Sequence, residues 1–443
     1  VEIVKLKEEM IMFLEDMGMD YREIDFEEET NIFIKHMENG LAKNNLDLKM
    51  IPTYIDLNRE IKFVEPIIVI DAGGTNFRRA LVSFKEDEVI IEEFQTFSMP
   101  GSKGEITKTE FFDTIVKYIE PLLNKSTEIG FCFSYPVEIL PNADGKVLSL
   151  SKEVKVKDIE NVKLGETLLE HIKKYGYKEN KKVVILNDTT AVLLSGMSIS
   201  SKTRYHSYIG LILGTGTNTC YQEENNNILK DQLILKKKGK TIINIESGGY
   251  NGVNRGIIDK ILDNKSNNPN EQQFEKMISG AYQGILIFES IKKAGEDGYI
   301  SKEFYQGIKN ILNISSKDVS DFHNSPYSKD NVISELLDMY GTEEDRIKMF
   351  YLIDFLIERA AKLLVINIKA IIKHTNAGRN PCQPVCISVD GSAFYGSQLF
   401  MSKFDYYVKK YINNEGYYVK RIKVEDGILI GAAKSVLISK DNR

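Results

Sequence analysis

Two glycine turns, each flanked on both sides by strand-like sequence, restrict this chain more than any other feature. At the first, the apolar run PIIVIDAGG leads through Gly73-Gly74-Thr75-Asn76 into FRRALVSF, where apolar and polar residues roughly alternate. At the second, SYIGLIL leads through Gly214-Thr215-Gly216-Thr217-Asn218 into TCYQEE. A P-loop or a dinucleotide fingerprint needs a helix after its glycines, and here the chain returns as a strand, so both readings are weak. Two hairpins that share a Gly-Thr pair and an Asn predict two related α/β domains facing each other across a phosphate, through an internal duplication.

The chain's 443 residues leave room for two large domains or three average ones. Its 42% hydrophobic and 28% charged residues are those of a globular protein. A net charge of −6 argues against a nucleic-acid partner held by a general basic field. The longest apolar runs, 66–72 and 363–372, fall short of a membrane span. The charged opening, with Glu2, Lys5, Lys7, Glu8 and Glu9, predicts a cytoplasmic protein. Four cysteines do not form a disulfide framework, and the spacing of Cys382, Cys386 and His374 is a poor match to a metal site. His36, His171, His206 and His323 stand singly and are expected as surface or core residues.

Periodicity predicts N-terminal helices with stripes at Ile3, Leu6, Met10 and Phe13, and at Phe33, Ile34, Met37 and Leu41 behind a Thr30 cap. Between the hairpins it predicts a helix over 108–123, the strand EIGFCFSYP, a helix over 164–175 and the strand KVVILND. Beyond them come helices over 272–291 and 343–374, a solvated loop at 263–270, the strand and turn CISVDGSAFYG, and a last helix from Gly427.

Glycine turns let backbone amides approach phosphate oxygens, and neighbouring threonine hydroxyls add donors. Gly73, Gly74, Thr75, Gly214, Thr215 and Gly216 supply this twice. Asp71, at a strand end, is placed to hold magnesium through water, and Arg78 to offset charge on a transferring phosphoryl group. Asp188, at the end of KVVILND, is the candidate base for an acceptor hydroxyl, or else a cap for the helix that follows. Ser134, Ser151, Lys152, Asn187, Asn218 and Glu246 offer groups that bind a polyol.

With these residues in view, the chain resembles the hexokinase family of the actin-like ATPase superfamily, in its eukaryotic-type hexokinase and glucokinase branch. The resemblance runs through LKMIPTYI, DAGGTNFR, FCFSYP with LSLSK, LNDTTA, GLILGTGTNTCYQEE, INIESGG, VDGSAFY, IERAAKLL and the closing GAA. It implies an α/β fold of two RNase-H-like domains around a central cleft. N-terminal helices (1–56) would pack on the large domain (189–426), and a C-terminal helix (427–443) would return to the small domain (57–188). It implies ATP and magnesium as cofactors, a hexose such as glucose as acceptor, and a monomer or homodimer. Asp188 becomes the base for the sugar 6-hydroxyl, with Ser134, Ser151, Lys152, Asn187, Asn218 and Glu246 on the sugar. Asp71, Gly73, Gly74, Thr75, Asn76, Arg78, Gly214, Thr215 and Gly216 would surround magnesium and the phosphates, with Gly391 and Ser392 by the adenosine. Three departures stand out. Ile285 falls where a second sugar-binding Glu is expected, with Glu289 one turn further on; Ser247 replaces a Trp; and the last helix opens GILIG in place of GSGxG. The first of these motivates an alternative, a protein that binds sugar without transferring phosphate. A second alternative is an ATPase without a sugar substrate.

Overall fold

The computed structural model describes residues 2–45, 47–57, 66–74, 76–85, 88–150, 154–199 and 203–439. Helices α1 (Glu2–Asp16) and α2 (Phe26–Ala42) bury Met10, Phe13, Phe33 and Met37, as their three- and four-residue spacing requires. α2 starts earlier than the sequence predicts. Asp25 is its cap, accepting from the Glu28 amide at 2.9 Å, whereas Thr30 lies inside the helix and donates its hydroxyl to the Phe26 carbonyl. An aspartate cap also meets the positive end of the helix dipole, which a threonine does not.

The chain then lays down β1 (Ile51–Asp56), β2 (Ile67–Gly73), β3 (Asn76–Lys85) and β4 (Glu88–Ser98). α3 (Lys108–Ile119), β5 (Glu128–Phe133), α4 (Leu164–Lys174) and β6 (Lys182–Leu186) follow. The first sheet has the order β6-β5-β2-β3-β4: an antiparallel meander of β2, β3 and β4, with β5 and β6 parallel to β2. β2 is buried on both faces, and residue parity sorts it into two cores. Ile68, Ile70 and Ala72 join Phe111, Phe112 and Leu168 beneath α3 and α4. Ile67 and Val69 join Leu193, Ala432 and Val436 on the other side.

After α5 (Asp188–Ile199) the second sheet forms from β7 (Ser207–Leu213), β8 (Thr217–Glu224), β9 (Lys240–Asn244), β10 (Val385–Asp390) and β11 (Val419–Ile422). Its order is β1-β9-β8-β7-β10-β11, with β7 to β9 antiparallel and β10 and β11 parallel to β7. Apart from β1 at its edge, this repeats the first sheet strand for strand. The duplication hinted at by two similar hairpins is thus written in the topology, as expected of paired RNase-H-like units.

The connection from β9 to β10 carries α6 (Gln273–Ile278), α7 (Gly280–Glu296), α8 (Ser316–Asn324) and the long α9 (Glu343–Thr375); α10 (Gln398–Tyr411) joins β10 to β11. The single helix expected over 272–291 is broken. Ser279 is extended (φ −82°, ψ 161°), and the Gly280 amide turns to the Gly214 carbonyl at 2.8 Å. The expected solvated loop at 263–270 is also corrected at its start. Asp263 is buried and ion-paired with Lys276 at 2.6 Å and Arg255 at 2.8 Å.

The last helix, α11 (Gly427–Ser439), packs against α5 on one side and on β2, β5 and β6 on the other. Two glycines permit this. A Cβ on Gly431 would overlap the Ala191 carbonyl of α5, and one on Gly130 of β5 would overlap the Ala432 carbonyl. Among the described residues, no helix is long and apolar enough to cross a membrane.

Candidate active site

Parallel strands deliver their carboxyl ends to one edge of a sheet, and side chains just beyond those ends converge. In the first sheet β2, β5 and β6 run in register, with Asp71 opposite Cys132 and Leu186 opposite the same residue. Asp71, Ser134, Asn187 and Asp188 therefore gather at one edge. A Cβ on Gly73 would sit 2.7 Å from the Ser134 hydroxyl, so the turn can hug β5 only as glycine. Gly74 has φ +57° and open space above it, which leaves that face of the turn approachable. Asn76 opens β3 and is exposed. Thr75, Ser151 and Lys152 lie outside the described residues.

Asp71 is 3% exposed and ion-paired with Arg78, its partner across the β2–β3 ladder. Burial pushes its carboxyl above the usual range and Arg78 opposes this, with Asp390 of the second sheet adding to the rise. Asp188 is half-buried at the start of α5, and its pKa is pushed up to about 7. Burial is the main cause. The Thr189 amide and the Ser134 hydroxyl pull it down, while the charges of Asp71 and Glu246 push it up. The Thr189 amide reaches Asp188 Oδ1 at 2.7 Å and Asn187 Oδ1 at 2.9 Å. Asp188 thus makes the cap-like contact and also faces both sheets.

Across from it, Asn218 on β8 donates to Asn244 on β9 at 2.7 Å, and Asn244 donates to Glu246 Oε1 at 2.7 Å. The Ser247 amide returns to Asn218 Oδ1 at 3.2 Å. Glu246 itself is held in the left-handed region at φ 59°, a conformation disfavoured for a glutamate and typical of functional strand ends. The sequence reading passed over Asn244. The signal was there in INIESGG, where Asn244 and Glu246 stand two apart, the spacing of one strand face.

The structure corrects the reading of Ile285. That residue is 39% exposed on α7, and Glu289 is bound to Lys265 at 2.7 Å and Lys292 at 2.9 Å. The carboxylate near Glu246 belongs to Glu275, on the short α6 before the break at Ser279. Glu275 Oε2 accepts the Thr217 amide at 3.0 Å, and the side chain packs over Gly216 and Gly248, where a Cβ would meet it at 2.5 Å and 3.3 Å. Burial raises its pKa; the Thr217 amide opposes this and Glu246 adds to it. Glu246 therefore acts electrostatically on Asp188 and Glu275 alike.

The second glycine turn is pinned from behind. The Gly280 and Ala281 amides donate to the Gly214 and Thr215 carbonyls at 2.8 and 3.1 Å, which leaves those carbonyls engaged. Gly391 follows β10 at φ +119° and lies so close to Leu213 that a Cβ would overlap its carbonyl. Ser392 begins a short helical turn beside it. Here a cavity of about 490 Å³ opens, lined by Gly214, Thr215, Gly280, Gln283, Ser316 and Ser392 among others. Its size and largely apolar wall suit a nucleoside.

Two models of the hexokinase family match the chain, one over residues 13–198 and the other over 208–438. The chain belongs to the hexokinase family. This is a family of sugar kinases, and its members include the hexokinase-1 of Spinacia oleracea, 30% identical over 434 residues, or 90% of this chain and 84% of that protein. Hexokinase-5 of Oryza sativa subsp. japonica is 26% identical over 84% of this chain and 78% of its own length. Human hexokinase-1 is 25% identical over 90% of this chain but only 45% of its own length, so the chain spans about half of that relative. The hexokinase fold is shared with a hexokinase from Schistosoma mansoni solved in complex with glucose, at a TM-score of 0.76 and 22% identity, over 98% of this chain and 99% of that one.

Proposed function

We propose that this protein transfers the terminal phosphoryl group of MgATP to the 6-hydroxyl of a hexose such as glucose, with Asp188 as general base. The observation that carries this is the setting of Asp188. It lies between a phosphate-type turn carrying Asp71 and an amide and carboxylate network ending in Glu246, with a pKa of about 7. A carboxyl with a pKa near neutral is about half ionised at pH 7 and is a stronger base for a hydroxyl proton than an ordinary carboxylate.

In this reading Asn187, Asn218, Asn244, Glu246 and Glu275 orient the sugar by accepting from and donating to its hydroxyls. Ser134 adds a hydroxyl, and Ser151 and Lys152 join them on the strength of the family resemblance. Asp188 takes the proton of the 6-hydroxyl as that oxygen bonds to phosphorus and the bond to the ADP oxygen breaks. MgATP supplies the phosphoryl group and a metal charge that offsets its oxygens. The amides of Gly73, Gly74, Thr215 and Gly216 hold phosphate oxygens, while the Gly214 amide closes the second turn on the Gly216 carbonyl at 2.9 Å; Thr75, Thr215 and Asn76 stand beside them. Asp71 is a hard oxygen ligand suited to magnesium through water, and its ion pair with Arg78 opposes the effect of its burial. Gly391 and Ser392 border the adenosine. Residues 57–188 closing on 189–426 would exclude water from the acceptor site.

The glucose bound to the Schistosoma hexokinase supports glucose as a first acceptor. The reading as a sugar binder without transfer loses its motive, because Glu275 supplies the carboxylate that Ile285 lacks.

The pH profile tests the base. With a carboxyl pKa of about 7, kcat/KM for the hexose rises roughly tenfold per pH unit from about pH 5 and levels off above about pH 7. A profile that is flat across that window contradicts the role given to Asp188. The sugar carboxylate has its own test. Replacing Glu275 by Gln removes a charged hydrogen-bond acceptor and raises the hexose KM about 10- to 100-fold while kcat stays within a few-fold. Ile285→Glu leaves the KM unchanged; tightening by that variant would return the role to position 285.

A further inference from the structure

The cavity beside the second glycine turn is mostly apolar, but α8 lays a polar stripe along it: Ser316, Ser320 and His323, at three- and four-residue spacing. Ser316 sits at the phosphate end, where its hydroxyl donates to the Gly280 carbonyl at 2.5 Å. His323 comes two turns later, about 10 Å along the helix axis. That is comparable to the reach of a nucleotide from its inner phosphate to the far edge of a purine. Ile353, Ile357 and Phe400 close the cavity at faces a flat base would cover.

His323 is held for a purpose its solitary place in the sequence does not betray. Its ring stacks on Phe350 with centroids 4.4 Å apart and planes 18° off parallel. Its Nε2 is buried without a regular hydrogen bond, and Asp354 Oδ1 lies 3.3 Å from it. Asp354 is in turn bound by Lys403 at 3.0 Å, and Lys403 also binds Glu358 at 2.5 Å. Against its burial, His323 and Lys403 keep the Asp354 carboxyl below its usual range, so it is ionised and can only accept. A neutral His323 ring is best placed with its one N–H on Nε2, facing that carboxylate. Nδ1 is not buried and has no hydrogen-bond partner among the described residues, and in the neutral ring it is an acceptor.

We propose that His323 is the base-reading residue of this enzyme, its Nδ1 accepting from the 6-amino group of adenine at the inner end of the cavity. This rests on the nucleotide reading given above and extends it to the choice of base. Lys317 and Asp321 also line the cavity, but they are ion-paired with each other. A 6-oxo purine would set one acceptor against another, and a purine without the 6-substituent would leave Nδ1 unpaired.

Calorimetry with ADP, inosine diphosphate and purine riboside diphosphate tests this without requiring turnover. The native protein should bind ADP about five- to tenfold tighter than purine riboside diphosphate, and inosine diphosphate weakest of the three. In His323→Phe, which keeps the ring on Phe350, the three affinities should converge to within about twofold, through loss of ADP affinity. His323→Gln, whose amide oxygen can accept, should restore part of the preference. Equal binding of the three by the native protein, or a preference that survives His323→Phe, overturns the proposal and leaves the nucleotide site standing. If His323→Phe fails to fold, His323→Ala takes its place in the comparison. Binding of none of the three removes the nucleotide reading and this proposal together.

Discussion

Asp188→Asn is expected to lower kcat for hexose phosphorylation by about 10²- to 10⁴-fold, the usual range for removing a positioned general base. The amide keeps the shape and still accepts the Thr189 amide, so sugar and nucleotide affinities should change little. The same variant should be more stable than the native protein at neutral pH. The native carboxyl titrates at about 7, against about 4 in an unfolded chain. Between those values the folded state holds a proton that the unfolded state has released, so this group's contribution to stability falls as pH rises from about 4 to about 7. The shift corresponds to on the order of 2–4 kcal/mol. Denaturant melts of the two proteins should therefore diverge from about pH 4 to about pH 7 in favour of Asp188→Asn, and run parallel above that. Parallel curves across that window would mean that the Asp188 carboxyl is not raised by its surroundings as described above.

Gly431→Val should be the most damaging single change away from the site. Two helices, α5 and α11, are pressed between the two sheets, and Gly431 is where their backbones meet. A first carbon at this position overlaps the Ala191 carbonyl, and because that obstacle is backbone, no side-chain rotation relieves it. Overpacking of this kind commonly costs about 1–3 kcal/mol and more when backbone must move. α5 also begins at Asp188, so a displaced α5 carries that carboxyl with it. Thermal melting should show a lowered midpoint, with kcat reduced even in the fraction that stays folded. Gly427→Ala makes a milder control, since its Cβ would meet only the Ser195 hydroxyl at 3.0 Å and the Val424 side chain.

What the sequence disclosed follows from how locally each feature is determined. β2, the two glycine hairpins and the strand ending at Asp188 were legible because a short apolar run and a glycine turn need no distant partner to be recognised. The opening of the last helix as GILIG reads in sequence only as a departure from the family pattern, yet its second glycine is the contact point of two helices. That contact is non-local, and nothing near Gly431 in the chain announces Ala191. Glu275 was missed for a related reason. Reading 272–291 as one helix drew attention to position 285, whereas the true helix ends at Ile278 so that the Gly280 amide can meet the second glycine turn. A break made by a tertiary contact has no periodicity to reveal it, although Ser279-Gly280 is a pair that could have raised it. His323 appeared as a lone histidine because Phe350, Asp354 and Lys403 lie 27 or more residues away in sequence.

The central claim is that sugar and phosphate chemistry are coupled through Asp188, and one assay meets it directly. ADP and hexose 6-phosphate are measured together with MgATP and glucose, mannose, fructose, glucosamine or 2-deoxyglucose, and again with no sugar. The account predicts ADP and sugar phosphate in equal amounts with at least one hexose, near-silence without sugar, and loss of both products in Asp188→Asn. ADP released at the same rate with and without sugar, or sugar phosphate formed undiminished by Asp188→Asn, would contradict it.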